Sequence, residues 1–314
     1  MSGDALSNID RIELMQTLTR IIESGSLSAA AQQLGTTQAT ISRRLQALEQ
    51  LLNTKLLLRT THAMKLTDDG ERCYQHARTL IAAWEALEDD LKGADAEPTG
   101  VLRVRAPHAF GQEQLIVPLT QFLNQYGQLS VEWMLNDKSP DFIADNIDCA
   151  IHVGPATDPA TVATRLAEVP RIIVASPALL AQAQSAVEDI DALAALPWIA
   201  IRQFYHYDVT LSHSETGQSV HFPIAPRLTS DSLYAVRQAA LSSIGAVIIS
   251  AWLVEDDIHS GRLIHVLPQW QALPLPVFLL YPYANYYPAR LRKFLALMRD
   301  AMPGLAGMRK PESR

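Results

Sequence analysis

The chain has few cysteines, no long apolar run and no segment that resembles a signal peptide. Its two cysteines, Cys73 and Cys149, cannot form a disulfide framework, which fits a reducing compartment. The longest apolar runs, such as 245–254 and 273–280, are too short to span a bilayer. We therefore expect a cytoplasmic protein that does not act at a membrane.

Common catalytic motifs are also absent. The sequence contains no phosphate-binding loop, no dinucleotide-binding turn, no His-Glu-x-x-His zinc motif and no Gly-x-Ser-x-Gly nucleophile motif. His206, His213 and His221 share one polar stretch, but their spacing matches no metal-ligand pattern, and solvated loop histidines are the simpler interpretation. We expect no catalytic residues, no metal site and no cofactor.

Charge is unevenly distributed along the chain. The net charge is −7 over 314 residues, yet residues 1–67 hold 7 Lys and Arg against 5 Asp and Glu, a net +2. Residues 68–314 hold the remaining 19 Lys and Arg and 28 Asp and Glu, which gives a net charge of −9. A small basic module on an acidic body favours a localised footprint on a polyanion over nonspecific coating.

Residues 27–46 are predicted to form two short helices joined by a tight turn. Ser26 can cap the first helix, Gly35 can end it, and Thr37 can cap the second. One side of the second helix then forms a buried apolar stripe, made of Ile41, Leu45, Leu48 and Leu52.

The other side of the second helix carries polar side chains that folding does not require. The candidate DNA contacts on it and its flanks are Thr37, Gln38, Ala39, Thr40, Ser42, Arg43, Arg44 and Gln46. Arginine can fork onto guanine, glutamine onto adenine, and an alanine methyl can contact the thymine methyl. A solvated helix face is the alternative, but the turn and the small residues of the preceding helix favour DNA.

The next segment predicts a hairpin wing. Two short apolar runs, 56–58 and 64–66, flank a polar tip. Basic side chains there could reach phosphates or a narrow minor groove. The candidate contacts at or near the tip are Arg59, Thr60, Thr61 and His62.

Residues 68–92 predict a long linker helix. Three acidic residues in its first turn suit the positive end of the helix dipole. Apolar residues then recur at heptad spacing, at Cys73, Ala77, Leu80, Trp84, Leu87 and Leu91. This spacing predicts dimerisation with a second copy, and the alternative is a single helix that packs on its own domain.

These segments resemble the LysR-type transcriptional regulators. That family has a winged helix-turn-helix with a Thr/Ser-Gln-x-x-x-Ser-Arg recognition helix and a Leu-x-Arg-Thr wing. Matching positions are occupied by Gln38, Ser42, Arg43, Arg59 and Thr60. Ala39 and Arg44 depart from the residues that the family often has, so the base preference of a relative does not carry over.

After a small, polar hinge at 93–99, strand and helix patterns alternate. Strands at 101–106, 129–135 and 147–153 with a helix at 112–126 are the order of a parallel βαβ sheet. Further strands are predicted at 171–175, 198–201, 220–222, 246–250, 263–266 and 277–281, and helices at 177–184, 231–243, 251–258 and 288–302.

The resemblance continues over residues 100–314, through Gly100-Val-Leu-Arg-Val and Ile147-Asp-Cys-Ala-Ile-His-Val-Gly. It implies an all-α winged helix-turn-helix domain at 1–67 and a linker helix at 68–92. An α/β periplasmic-binding-protein-like effector domain at 100–314 would follow. Its subdomain I would comprise about 100–171 and 273–303, and its subdomain II about 172–272, with a small-molecule effector between them.

Ligands of open parallel sheets bind beyond the carboxyl ends of strands and near helix amino termini. That rule predicts effector contacts at Pro107, His108, Ala109, Phe110, Asn136, Asp137, Lys138, Arg202, Gln203, Phe204 and Ser230. His108 and Arg202 would together attract a carboxylate. Alternatively, His108 is a capped loop histidine and Arg202 a surface ion-pair partner.

The sequence therefore predicts a homo-oligomeric LysR-type regulator, dimer or tetramer, that binds an inverted repeat in double-stranded DNA and responds to a small effector. RNA polymerase would be a further partner of an activator. Two alternatives stay open: an enzyme-like or transport-type binding body fused to a DNA-binding domain, and a redox-responsive regulator. Cys149, alone in the body and set between apolar neighbours, disfavours the second.

Overall fold

The computed structural model describes residues 10–59, 64–93, 97–156, 158–183, 186–204 and 207–311, with Arg59 described by its backbone only. The chain forms two compact units. One extends through Glu97 and includes Ala284–Ala289, and the other contains the remaining residues. In the described part of the chain, no helix is both long and apolar enough to cross a membrane.

The described residues of the amino-terminal unit form four helices and a two-stranded hairpin. They are α1 (Arg11–Ser24), α2 (Leu27–Gln33), α3 (Gln38–Leu52), β1 (Leu57–Arg59), β2 (Met64–Leu66) and α4 (Asp68–Lys92). The predicted caps are present: Ala29 N donates to Ser26 Oγ at 3.1 Å, and Thr40 N donates to Thr37 Oγ1 at 3.2 Å. Gly35 has φ +60°, a value that favours glycine at the turn.

One apolar core joins α1, α2, α3 and the hairpin. Its fully buried members include Leu18, Ile21, Ile41, Leu48 and Leu56. Burying such a side chain contributes about 1.5–3 kcal/mol. Leu52, which the periodicity assigned to the buried stripe, is 44% exposed because it lies in the last turn of α3.

Glu49 of α3 forms hydrogen bonds with the residues directly before the wing. Its carboxylate accepts from Lys55 Nζ at 2.6 Å and from Leu56 N at 3.0 Å, and only 7% of the residue is exposed. Burial alone would raise the pKa of this carboxyl, but the hydrogen bonds from Lys55 and from the backbone outweigh it and lower the pKa.

We expect Glu49→Gln to destabilise the protein at pH 7 by about 1–3 kcal/mol, because the carboxylate receives charged and backbone donors. Since the folded pKa is lowered, this stability is present above the unfolded pKa and is lost as pH falls through the folded value. Urea unfolding of the wild type and the variant between pH 3 and 7 measures the difference, with the exposed Glu188→Gln as control. If the difference in unfolding free energy between the wild type and Glu49→Gln does not decrease at acid pH, the stabilising role of the Glu49 carboxylate would be contradicted.

The larger unit contains eleven strands and seven helices in its described residues. The strands are β3 (Gly100–Ala106), β4 (Leu129–Leu135), β5 (Cys149–Val153), β6 (Thr161–Ala175), β7 (Trp198–Ile201), β8 (Asp208–His213), β9 (Ser219–Pro223), β10 (Pro226–Ser230), β11 (Val247–Ser250), β12 (Ile264–His265) and β13 (Trp270–Pro282). The helices are α5 (His108–Gln112), α6 (Ile116–Gln125), α7 (Pro177–Ala181), α8 (Ile190–Ala194), α9 (Leu233–Leu241), α10 (Ala251–His259) and α11 (Ala289–Ala301).

Nine of these strands form one mixed sheet, whose central order is β11-β6-β13-β5-β3-β4. β3 pairs in parallel with β4 and β5, as the βαβ pattern predicts. β6, β11 and β13 pair antiparallel, which the sequence pattern did not predict. β7 and β10 form a separate parallel pair.

β6 and β13 are much longer than predicted. They pair with each other from Thr161 opposite Pro282 to Arg171 opposite Ala272. The predicted subdomain boundaries at 171/172 and 272/273 therefore fall inside continuous strands. Prolines in both segments argue against long strands, so the sequence pattern did not show their length. In the structure, Pro274 lies at a register shift between Ala272 and Leu275, whereas Pro276 is paired opposite Glu168.

Other elements also differ from the prediction. The helix predicted at 112–126 is observed as α6, a separate short helix, α5, precedes it, and Pro118 lies in the first turn of α6, where its missing N–H costs nothing. α8, β8 and β10 were not predicted, although in β8 the buried Val209 and Leu211 alternate with polar residues, which is a strand pattern.

Around β7, the core of the larger unit lies on both sides of the strands. One buried cluster surrounds Trp198, Leu211 and Ile248, and the other surrounds Ile199, Val236 and Val254. Alternate residues of β7 thus enter opposite clusters, as expected for a strand that is covered on both faces.

Candidate nucleic-acid interface and ligand cleft

The outer face of α3 is free of the core. Gln38, Ala39, Arg43 and Gln46 are exposed, while Thr40 and Ser42 are half-buried. In the described part of the chain, no ion pair engages Arg43. This face offers the amide and guanidinium groups that read base edges in the major groove.

Arg44 differs from its neighbour Arg43. Its guanidinium forms an ion pair with Glu13 of α1, and 26% of its side chain is exposed. That pair holds the charge of Arg44 against the preceding helix, so its assignment to DNA stays a prediction.

The wing forms as predicted, with Leu57 opposite Leu66 and Leu58 opposite Lys65. The side chain of Arg59 and the tip residues Thr60, Thr61 and His62 lie outside the described residues. The wing's role in DNA binding rests on the sequence alone.

The predicted heptad face of α4 divides into two parts. Cys73 and Ala77 are turned into the amino-terminal unit: Cys73 packs against its core, and Ala77 is 1% exposed. The other positions remain exposed, with Leu80 at 48%, Trp84 at 45%, Leu87 at 46% and Leu91 at 79%. This exposed apolar face, Leu80 to Leu91, is the part of α4 that is available to a second chain.

The larger unit contains a cleft of about 710 Å³, its open mouth included. It lies where β3 and β4 end on one side and where β7 ends on the other, which is the edge that the sequence rule indicated. Of the predicted effector contacts, the residues that line it are Pro107, His108, Ala109, Phe110, Asn136, Asp137, Gln203 and Phe204.

Three predicted contacts are placed elsewhere in the described structure. Lys138 offers its carbonyl to the Arg105 guanidinium, Arg202 donates its backbone N–H to Ser230 O at 3.0 Å, and Ser230 Oγ accepts from Ser232 N at 3.1 Å. None of the three lines the cleft. The sequence rule placed them next to it, because it identifies the strand end and not the direction of each side chain.

His108 is held by Asp137. The Asp137 carboxylate accepts from His108 N at 3.1 Å and lies 2.7 Å from His108 Nδ1. The predicted alternative was a capped loop histidine; His108 is capped by Asp137, but it lies at the start of α5 and not in a loop.

Sequence reasoning missed several polar cleft residues, among them Arg171, His152, Asp231, Tyr234 and Ser250, and Arg171 is the buried cation of this group. It belongs to β6, is 7% exposed, and donates to Leu273 O at 3.0 Å. Its guanidinium carbon lies 5.2 Å from the centre of the Phe204 ring, which is a cation–π contact. A charged residue directly before the apolar run Ile172-Ile-Val-Ala was the available signal.

Two further polar residues line the cleft near Arg171. Ser250 is the N-cap residue of α10, yet its side chain makes no capping hydrogen bond. His152 Nε2 lies 3.2 Å from Pro155 O. Burial lowers the pKa of His152, and the Pro155 carbonyl only partly opposes this, so the ring is neutral at pH 7.

Three contacts bridge the two sides of the cleft. Tyr234 donates to Glu113 Oε1 at 2.7 Å, and Gln203 Nε2 donates to Asp137 O at 3.4 Å. The Phe110 and Trp252 rings lie 5.0 Å apart. Burial and the neighbouring Glu113 raise the pKa of Tyr234 to about 12, so its hydroxyl keeps the proton that it donates.

The residues weighed for metal and redox chemistry have other partners. The ring of His213 meets that of Trp270 edge-on at 5.0 Å, and His221 Nδ1 lies 3.1 Å from Thr210 Oγ1, while His206 is outside the described residues. In the described chain, no group of three or more His, Cys, Asp or Glu could hold a metal ion. Cys149 is fully buried, and burial, followed by the charge of Asp148, raises the pKa of its thiol well above the usual value.

An exposed recognition helix and a largely apolar cleft with a buried arginine in its wall define a DNA-binding protein with a small-ligand domain. The helix-turn-helix model of the bacterial lysR regulatory family matches residues 12–71, and the LysR substrate binding domain model matches residues 95–303. The chain belongs to the LysR-type transcriptional regulator family. It is a transcriptional regulator with an amino-terminal DNA-binding domain and an effector-binding domain.

Known relatives match over most of their length. The HTH-type transcriptional activator TtdR of Escherichia coli K12 is 32% identical over 258 residues, or 82% of each chain. The HTH-type transcriptional regulator PtxR of Pseudomonas aeruginosa is 29% identical over 299 residues, or 94% of this chain and 95% of PtxR. The solved structure of CrgA from Neisseria meningitidis covers 92% of this chain and 98% of its own, with 26% identity and a TM-score of 0.56.

Proposed function

We propose that this regulator binds an inverted-repeat DNA site as a dimer or tetramer and that a small carboxylate in the cleft changes its effect on transcription. It does this in the cytoplasm, without catalysis, and contacts RNA polymerase where it activates. The observation that carries the carboxylate assignment is the buried Arg171 guanidinium on the wall of the cleft.

The surroundings of Arg171 favour an anion with an apolar body. The amino end of α10 begins at Ser250 beside the cleft, and the N–H groups of a helix start attract negative charge. Phe110, Ile248 and Leu275 supply apolar wall. Two carboxylates also line the cleft: Asp137, which is already engaged by His108, and Asp231.

A ligand can act on the regulator only through a difference in affinity between conformations. The bridges Tyr234–Glu113 and Gln203–Asp137 join the two sides of the cleft, so an anion that draws the sides together adds to contacts already present. The proposed effector therefore stabilises the closed arrangement.

Thermal unfolding of the full chain with small carboxylates, each compared with its uncharged amide, tests this proposal. A binding acid raises the unfolding temperature with its concentration, because it stabilises the folded state by RT ln(1 + [L]/Kd). We expect each acid to raise the unfolding temperature more than its amide does at the same concentration. Equal effects of acid and amide, or none from either, would contradict the carboxylate assignment.

For DNA, we expect Arg43→Ala to cost about 1–3 kcal/mol of specific affinity and to relax one base preference, because this guanidinium is free to reach a base edge. Fluorescence anisotropy measures binding to a selected site and to random duplexes. A loss of base reading weakens binding to the selected site only, whereas a loss of a phosphate contact weakens both. Arg227→Ala is the matched control, since it removes an exposed arginine of β10, outside the amino-terminal unit. Equal losses of Arg43→Ala on both duplexes would assign Arg43 to phosphate.

A further inference from the structure

Arg43 and Arg44 are adjacent on α3 but differ in their surroundings. Successive residues of a helix are turned by about 100°, so the two side chains cannot share one face. Arg43 is exposed on the face that also carries Ala39 and Gln46, whereas only 26% of the Arg44 side chain is exposed. Arg44 therefore lies on the flank of the recognition face, on the side of α1.

Glu13 of α1 holds the Arg44 guanidinium. Glu13 Oε1 accepts from Arg44 Nη2, and the two charges form an ion pair. Buried neighbours fix the backbone on both sides of this contact, since Leu14 is 2% exposed and Leu45 is 3% exposed. Glu13 also lies in the first turn of α1, where the helix dipole stabilises its negative charge. The fold thus places a carboxylate beside Arg44 and cancels its charge locally.

Pairing a cation within the protein affects DNA binding, because phosphate contacts supply much of the affinity for DNA of any sequence. Each Lys or Arg that contacts a phosphate releases counterions and strengthens binding without reading a base. A phosphate oxygen can accept from Arg44 only after the ion pair with Glu13 is broken. Arg43, by contrast, forms no ion pair in the described part of the chain.

We propose that Glu13 is a positioning residue for DNA recognition, which holds Arg44 against α1 and so keeps this arginine out of the phosphate contacts. The affinity of the amino-terminal unit for random DNA is then lower than its number of Lys and Arg residues implies. The base contacts of Arg43 consequently supply a larger share of the binding free energy at a specific site.

Glu13→Gln tests this proposal, because it breaks the ion pair and keeps the size of the side chain. Fluorescence anisotropy with the full chain measures the affinity for a random duplex between about 50 and 200 mM KCl. A released Arg44 adds one phosphate contact, so the slope of log K against log salt concentration should become steeper by about 0.9. The gain in affinity should be about three to four times larger at the low salt concentration than at the high one.

Glu71→Gln is the matched control. It removes an exposed carboxylate of the same unit, which accepts from Gln75 Nε2 at 3.2 Å and pairs with no cation in the described residues. Its salt slope should remain that of the wild type. Glu13→Gln combined with Arg44→Gln removes both charges of the pair, so the net charge does not change. This double variant should bind the random duplex with wild-type affinity and slope.

The proposal is overturned if Glu13→Gln leaves the slope unchanged, or if Glu71→Gln steepens it equally, because the effect would then reflect overall charge. It is also overturned if the double variant binds more weakly and with a shallower slope than the wild type, since Arg44 would then contact phosphate in the wild-type complex. A partly exposed ion pair contributes little to stability, so all variants should fold, which circular dichroism and thermal unfolding verify.

Discussion

Arg171→Met is expected to abolish the response to carboxylates at concentrations that saturate the wild type. The guanidinium is the buried cation of the cleft, and methionine keeps most of its apolar volume without the charge. Loss of a charge-assisted contact of this kind costs about 2–5 kcal/mol, which is roughly 30-fold or more in Kd. The measurement is isothermal titration of the carboxylate that stabilises the wild-type chain most strongly.

Arg202→Met is the matched control for this experiment. Arg202 is an exposed arginine that follows β7 but does not line the cleft, so its removal should leave Kd nearly unchanged. Unchanged affinity of Arg171→Met, or an equal loss in both variants, would remove Arg171 from the binding site. The circular dichroism spectrum and the thermal unfolding of each variant without ligand verify that its larger unit is folded.

Trp84→Asp combined with Leu87→Asp is expected to separate the oligomer into smaller species. Both side chains lie on the exposed apolar face of α4, at 45% and 46% exposure. Burying an aspartate in an apolar interface, twice in each chain, costs on the order of several kcal/mol per dimer. Sedimentation velocity measures the mass, and affinity for a full inverted repeat should fall toward that for a half-site.

Gln75→Asp with Thr79→Asp adds the same charge to α4 outside this face and should leave the mass unchanged. If both double variants keep the wild-type mass, the apolar face of α4 is not the interface. That result would favour the alternative interpretation, in which α4 packs only within its own chain. Cys73 and Ala77 already pack in this way.

Local signals made the amino-terminal unit predictable. Ser26, Gly35 and Thr37 determine the turn by their own backbone and hydroxyl preferences, and the period of Ile41, Leu45 and Leu48 determines the buried face. The pairing of Arg44 with Glu13 was not predictable, because it depends on how α1 crosses α3, a contact 31 residues apart.

In the larger unit, the parallel strands and the cleft edge followed from the alternating pattern. Arg171 could not be assigned to the cleft, because it reaches Phe204 only through the antiparallel pairing of β6 with β11 and β13. The periodicity of a short apolar run does not encode which distant strand becomes its neighbour.

The continuity of β6 and β13 has a consequence for how the protein is made. Both strands belong to the nine-stranded sheet, and their pairing joins residues as far apart as Thr161 and Pro282. That sheet cannot be completed until β13 has left the ribosome, and pairing over such separations slows folding. The larger unit should therefore fold and unfold in one cooperative step, and truncation before Trp270 should prevent its sheet from forming.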